Sequence, residues 1–162
     1  MEFLDTYTVS FFGHRQIENF RLAEERLEKL IRDLLATKEY VEFLVGREGD
    51  FDQIVSSAVK WLQREYRDDN SSLIWVLPYP TAALSLNLDN FRRYYDEINV
   101  YSPPENVHPK AAYQARNRDM VDRSDMVVYW VEHKTGVAYQ TMQYSIKKNK
   151  PIVNIAAEVY KI

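Results

Sequence analysis

Thr8-Val9-Ser10-Phe11-Phe12-Gly13-His14-Arg15 opens with branched and aromatic residues and stops at a glycine. Such residues favour a pleated backbone, and glycine lets the chain turn out of it, so this stretch reads as a strand and its exit. Phe20, Ala23, Leu27, Leu30, Ile31 and Leu34 follow at helical spacing. They predict a helix from about Gln16 to Ala36 with one apolar face. Strand, glycine, helix is the unit from which the rest of the chain is read.

The unit recurs. Tyr40 to Val45 is a second apolar strand, stopped by Gly46, and Ile54, Val55, Ala58, Val59 and Leu62 predict a helix from about Phe51 to Tyr66. Asp50 with Gln53 three residues on resembles a capping box at its start. Leu73 to Leu77 is a third strand. Asp89 to Tyr95 reads as a short helix and Ile98 to Tyr101 as a short strand. Lys110 to Arg123 reads as a helix, with Ser124 and Asp125 ending it, and Asp125 to Val131 as a buried strand. Gly136 opens a last helix through Lys148, and Pro151 to Ile155 is the final strand. Five of the six prolines fall between Pro78 and Pro109, which read as long loops around the short helix. Strands apolar on both faces, alternating with helices, predict an α/β fold: a mostly parallel sheet flanked by helices in three layers, doubly wound and Rossmann-like. With 162 residues, the chain 1–162 is expected to form a single domain.

Composition narrows the chemistry. Without cysteine there is no thiolate catalysis, disulfide or cysteine-zinc site. His14, His108 and His133 lack metal-ligand spacing, so no metal is expected, and no motif calls for a cofactor. Lysine and arginine number 21 against 24 acids, a net charge of -3, from which nucleic acid is expected to be an unlikely partner. Met1 to Thr8 lacks the basic start of a secretion signal, and no apolar run approaches the ~20 residues of a membrane span. The expectation is a cytoplasmic protein with no membrane partner. Symmetric dimers are common, so a homodimer is compatible with the chain.

Ligands of doubly wound sheets bind beyond the carboxyl ends of the strands. The loops there are Gly13–Gln16, Gly46–Asp52, Pro78–Thr81, Ser102–His108 and Glu132–Tyr139. The first carries Gly13, His14 and Arg15, where an arginine fork suits phosphate or carboxylate. A tight turn with a solvated arginine uses the same residues. The second carries Gly46, Arg47, Glu48, Gly49, Asp50 and Asp52 ahead of a helix, where backbone N–H groups can face an anion. Asp50 or Asp52 can equally serve as an N-cap. Neither a dinucleotide fingerprint nor a P-loop is present. Arg116, Asp119 and Arg123 share a helix face, where alternating charges can form surface pairs. Thr135 and Gly136 begin the last helix, a further anion-binding geometry. All four glycines of the chain, Gly13, Gly46, Gly49 and Gly136, fall at strand ends.

In order along the chain, these loops resemble a known superfamily. Ser10-Phe11-Phe12-Gly13-His14-Arg15 resembles the FTGHR opening of YpsA-like proteins, and residues 115–125 (Ala115-Arg116-Asn117 through Ser124-Asp125) resemble their RN…MV..SD segment. Residues 136–152, from Gly136-Val137-Ala138-Tyr139 to Lys150-Pro151-Ile152, resemble GGT…YA…GKPI. These patterns belong to the SLOG superfamily, which joins the DNA-processing protein DprA to the LOG phosphoribohydrolases. The resemblance implies a Rossmann-like fold that holds a nucleotide or nucleotide-derived ligand. Gly13 and Arg15 would face it, Gly46, Gly49 and Asp52 would form the second ligand loop, Arg116 and Asn117 would reach in, and Gly136 would open the phosphate-binding helix. LOG enzymes carry PGGxGTxxE, with a glutamate that takes part in cleaving base from ribose. Here Thr135 stands for the first glycine, Ala138 and Tyr139 replace the Gly-Thr pair, and Met142 occupies the glutamate position.

The expected function is therefore binding or sensing of a nucleotide-like small molecule. An N-glycosidase using Glu48, Asp50 or Asp52 in place of the missing glutamate is the alternative. A DNA-associated or protein-interaction module ranks third.

Overall fold

The computed structural model describes residues 4–102 and 108–157. Six parallel strands form one sheet in the order β4-β3-β2-β1-β5-β6. They are β1 (Thr6–Gly13), β2 (Tyr40–Val45), β3 (Ser71–Leu77), β4 (Glu97–Val100), β5 (Met126–Trp130) and β6 (Ile152–Asn154). The helices are α1 (Phe20–Thr37), α2 (Asp50–Glu65), α3 (Ala82–Leu86), α4 (Leu88–Tyr94), α5 (Pro109–Asp122) and α6 (Val137–Lys147). This is the Rossmann-like α/β fold that the alternation predicts. Among the described residues no helix is long and apolar enough to cross a membrane.

Side-chain alternation divides the core into two layers. Val9 and Phe11 of β1, Val41 and Phe43 of β2, and Leu73 and Trp75 of β3 pack with α1 and α2 on one face. Phe12, Leu44, Ile74, Val76, Val127 and Tyr129 pack against Met120, Val121 and Ala138 of α5 and α6 on the other. Each strand is apolar on both sides because both sides are covered. The polar Ser10 points into the second layer, where its Oγ is 2.7 Å from Ser124 Oγ and donates to the Met120 carbonyl at 3.2 Å. Asp125 accepts from Thr8 N–H and donates its own N–H to the Thr8 carbonyl, both at 2.8 Å. Ser124 and Asp125 thus join the end of α5 to the central strand.

Two boundaries differ from expectation, for one reason. α1 begins at Phe20, with Asn19 accepting from Leu22 N–H, and not near Gln16. The intervening loop is pinned to the second loop: Asp50 donates its N–H to the Arg15 carbonyl at 2.8 Å, and its carboxylate accepts from Ile17 N–H at 3.0 Å. Asp50 therefore does not cap α2; Gly49 stands at the N-cap, with no side chain capping. The proline-rich region holds two short helices, α3 and α4, where one was expected.

Gly13 shows why β1 must end in glycine. A Cβ there would lie 2.3 Å from Cγ of Phe51, a fully buried residue in the first turn of α2. Gly13→Ala is expected to cost about 1–3 kcal/mol through overpacking. Urea unfolding checks this, and the same substitution in a Phe51→Ala background should cost markedly less, because the clashing ring is gone.

Candidate functional site

Strand order reverses between β1 and β5, since β2, β3 and β4 extend one way from β1 while β5 and β6 extend the other. A crevice opens at the carboxyl ends of strands on either side of such a switch. Here it is a cleft of about 560 Å³. The β1 loop supplies Gly13, His14, Arg15 and Gln16, and the β2 loop with the start of α2 supplies Gly46, Glu48, Gly49 and Asp52. Tyr113, Arg116 and Asn117 come from α5, and His133, Gly136, Val137 and Ala138 from the β5 loop and α6.

The arginines differ in what they do. Arg116 is only 3% exposed. Its Nε donates to Asn117 Oδ1 at 2.9 Å, its Nη1 to the Val76 carbonyl at 3.0 Å, and its Nη2 to Glu48 Oε1 in a partly buried ion pair. Arg15 is exposed on the cleft, and among the described residues its guanidinium has no ion-pair or hydrogen-bond partner. Arg47 lies outside this cleft, with its guanidinium 5.0 Å from the Phe91 ring centroid.

Two carboxylates crowd over Gly46. A Cβ on that residue would meet Glu48 Oε2 at 2.8 Å and Asp52 Oδ2 at 3.2 Å. Glu48 donates its backbone N–H to Asp52 Oδ2 at 2.9 Å. Loss of hydration, and then the neighbouring Glu48 carboxylate, raise the Asp52 pKa to about 7, against the opposing pull of that N–H and of Arg116 and Arg15.

At the other wall, His14 and His133 stack with ring centroids 3.9 Å apart. His14 Nε2 accepts from Glu132 N–H at 2.9 Å, so this nitrogen carries no proton. Burial, and then His133, lower the His14 pKa. Thr135 lies out of the cleft beside His133, its Oγ1 2.9 Å from His133 Nδ1. Gly136 has φ of +93°, a conformation L side chains rarely adopt, and no side chain caps α6 behind it. The first N–H groups of an uncapped helix have no partner within it, and Val137 and Ala138 carry two of them on the cleft wall.

Of the residues picked from the sequence, Gly13, His14, Arg15, Gly46, Gly49, Asp52, Arg116, Asn117 and Gly136 line this one cleft, while Arg47 and Thr135 do not. Tyr113 and His133 were not picked. Tyr113 precedes Arg116 by three residues, a spacing that puts it on the same helix face. Within the loop 102–108, residues 103–107 lie outside the described residues. Among the described residues no group of three or more histidines and acids could hold a metal ion.

No protein-family model matches the chain, and none of the curated proteins does. Solved structures share its fold. DNA processing protein A from Helicobacter pylori superposes with a TM-score of 0.63 at 15% identity, over 90% of this chain and 63% of that one. DprA from Streptococcus pneumoniae superposes with a TM-score of 0.68 at 15% identity, over 96% of this chain and 52% of that one. The chain thus spans less than two thirds of either protein. The Helicobacter pylori structure is described for its single-stranded DNA binding mode. That finding corrects the expectation that nucleic acid is an unlikely partner. Arg15, Lys110 and Arg118 share a groove between α5 and α6 that adjoins the cleft, a local group of cations that the net charge of the whole chain does not show.

Asp52 makes stability depend on pH. A folded-state pKa above the unfolded value means that the folded protein holds the extra proton, so stability falls as pH rises from about 4 to about 7. Asp52→Asn abolishes this contribution. Urea denaturation is expected to show the variant gaining on the natural protein across that window, and a constant difference would contradict the raised pKa.

Proposed function

We propose that the cleft binds a nucleotide or a nucleotide-derived small molecule, as a binder or sensor. The observation that carries this is the meeting, at one switch point, of the unpartnered Arg15, the uncapped start of α6 and the Glu48–Asp52 carboxylates. Arginine and helix N–H groups suit phosphate. Carboxylate oxygens accept from ribose hydroxyls. The volume falls in the ordinary range for small-molecule sites. The YpsA-like resemblance of residues 10–15 and 136–152 supports the same ligand class.

Single-stranded nucleic acid is the second candidate, favoured by the adjoining groove. Arg15, Lys110 and Arg118 alternate there with Tyr113 and Tyr144. Cations that follow a backbone and rings that stack on bases are the composition a strand requires. The hydrolytic alternative rests on Asp52, since a carboxyl titrating near neutrality can lend a proton to a leaving group. Asp50 is committed to Ile17 and is not available for it.

Thermal melting with nucleoside monophosphates and ADP-ribose at millimolar concentration tests the proposal. At least one is expected to raise Tm by mass action. Arg15→Ala should weaken that ligand by about 1.5–3 kcal/mol, the worth of a charged hydrogen bond. No shift across the panel would overturn the small-molecule assignment, and a shift with an oligodeoxythymidine alone would favour the strand.

A further inference from the structure

A second cavity, of about 400 Å³, opens between α2 and α4 and shares Gly46 and Asp52 with the cleft. Its lining is of two kinds. Phe91, Tyr94 and Tyr95 give it aromatic surface, and Arg47 lays its guanidinium against Phe91 and, 5.9 Å from the ring centroid, Trp75. Gln53, Ser57 and Asn90 add neutral polar groups. All three are exposed, and among the described residues their side chains form no hydrogen bonds.

This combination selects among ligand groups. A phosphate fits poorly, because the lining's one cation lies against aromatic rings and the rest of the lining is neutral or carboxylic. An alkyl chain would cover the amides of Gln53 and Asn90 without pairing them. A planar heteroaromatic ring meets both demands, stacking on rings and guanidinium while its polar edge reaches the amides and hydroxyl. Gly46 is buried in the wall that the two cavities share, and the Glu48 and Asp52 carboxylates that cover it are acceptors for the hydroxyls of a sugar bridging them.

We propose that this cavity is the base subsite of the cleft. A bound nucleotide lays its phosphate toward Arg15 and α6, its ribose against the Glu48 and Asp52 carboxylates, and its base among Arg47, Phe91 and Tyr94. The inference rests on the nucleotide reading of the main cleft.

Calorimetric titration with ribose 5-phosphate and with the four common nucleoside monophosphates separates the two claims. At least one monophosphate should bind the natural protein tenfold or more tighter than ribose 5-phosphate does. The double variant Asn90→Ala/Tyr94→Ala alters side chains that face solvent and should fold. It should erase that advantage while leaving ribose 5-phosphate affinity unchanged. Equal affinity of all five compounds for the natural protein would overturn the base subsite and leave the phosphate–ribose assignment standing, as would a variant that keeps the full advantage. Failure of all five to bind would overturn both.

Discussion

One buried cation organises the edge of this molecule where the cleft opens. Arg116 enters from α5, and each of its three nitrogens finds an acceptor: a neighbouring amide, the Val76 carbonyl near the end of β3, and the Glu48 carboxylate in the β2 loop. A guanidinium withdrawn from water is tolerable only when its donors are satisfied in this way. The consequences run outward. Glu48 is held over Gly46, its N–H is directed to Asp52, and the closeness of the two carboxylates helps to keep a proton on Asp52 toward neutral pH. A residue of the α5–α6 layer thereby fixes a loop that leads into the opposite layer, across the switch point where the cleft opens.

The arginines of the site are thus defined by their partners and not by their number. Arg116 is occupied and acts on the loops. Arg15 is unoccupied and faces the cleft, and Arg47 lies against aromatic rings in the cavity beyond Gly46. A divided set of this kind leaves one guanidinium unpaired at the cleft while another holds the surrounding loops in place.

Much of the fold was legible in the chain because hydrophobic spacing is a local signal. Tyr40 to Val45 was readable to the residue, and the longer helices to within a few positions. What escaped depended on distant partners. Asp50 has the sequence context of a capping residue, yet its carboxylate is drawn to Ile17, which also delays the start of α1. Arg116 and Asn117 sit in a run of alternating charge that reads as solvated, and their burial follows from acceptors on other elements. The clustering of glycines at strand ends was plain, but their reasons differ. Gly13, Gly46 and Gly49 make room for Phe51, the two carboxylates and the Arg15 backbone, whereas Gly136 is required by its positive φ. Net charge sums over the whole chain and therefore did not show the local group of Arg15, Lys110 and Arg118 beside the cleft.

The central claim is that the loops at the β1–β5 switch point form one ligand site. A titration of the ¹⁵N-labelled protein with a nucleoside monophosphate, followed by amide chemical shifts, tests it most directly. The account predicts saturable shifts concentrated in residues 13–16, 46–52 and 136–138, with little change on α1. Saturable shifts that spare all three segments would contradict it.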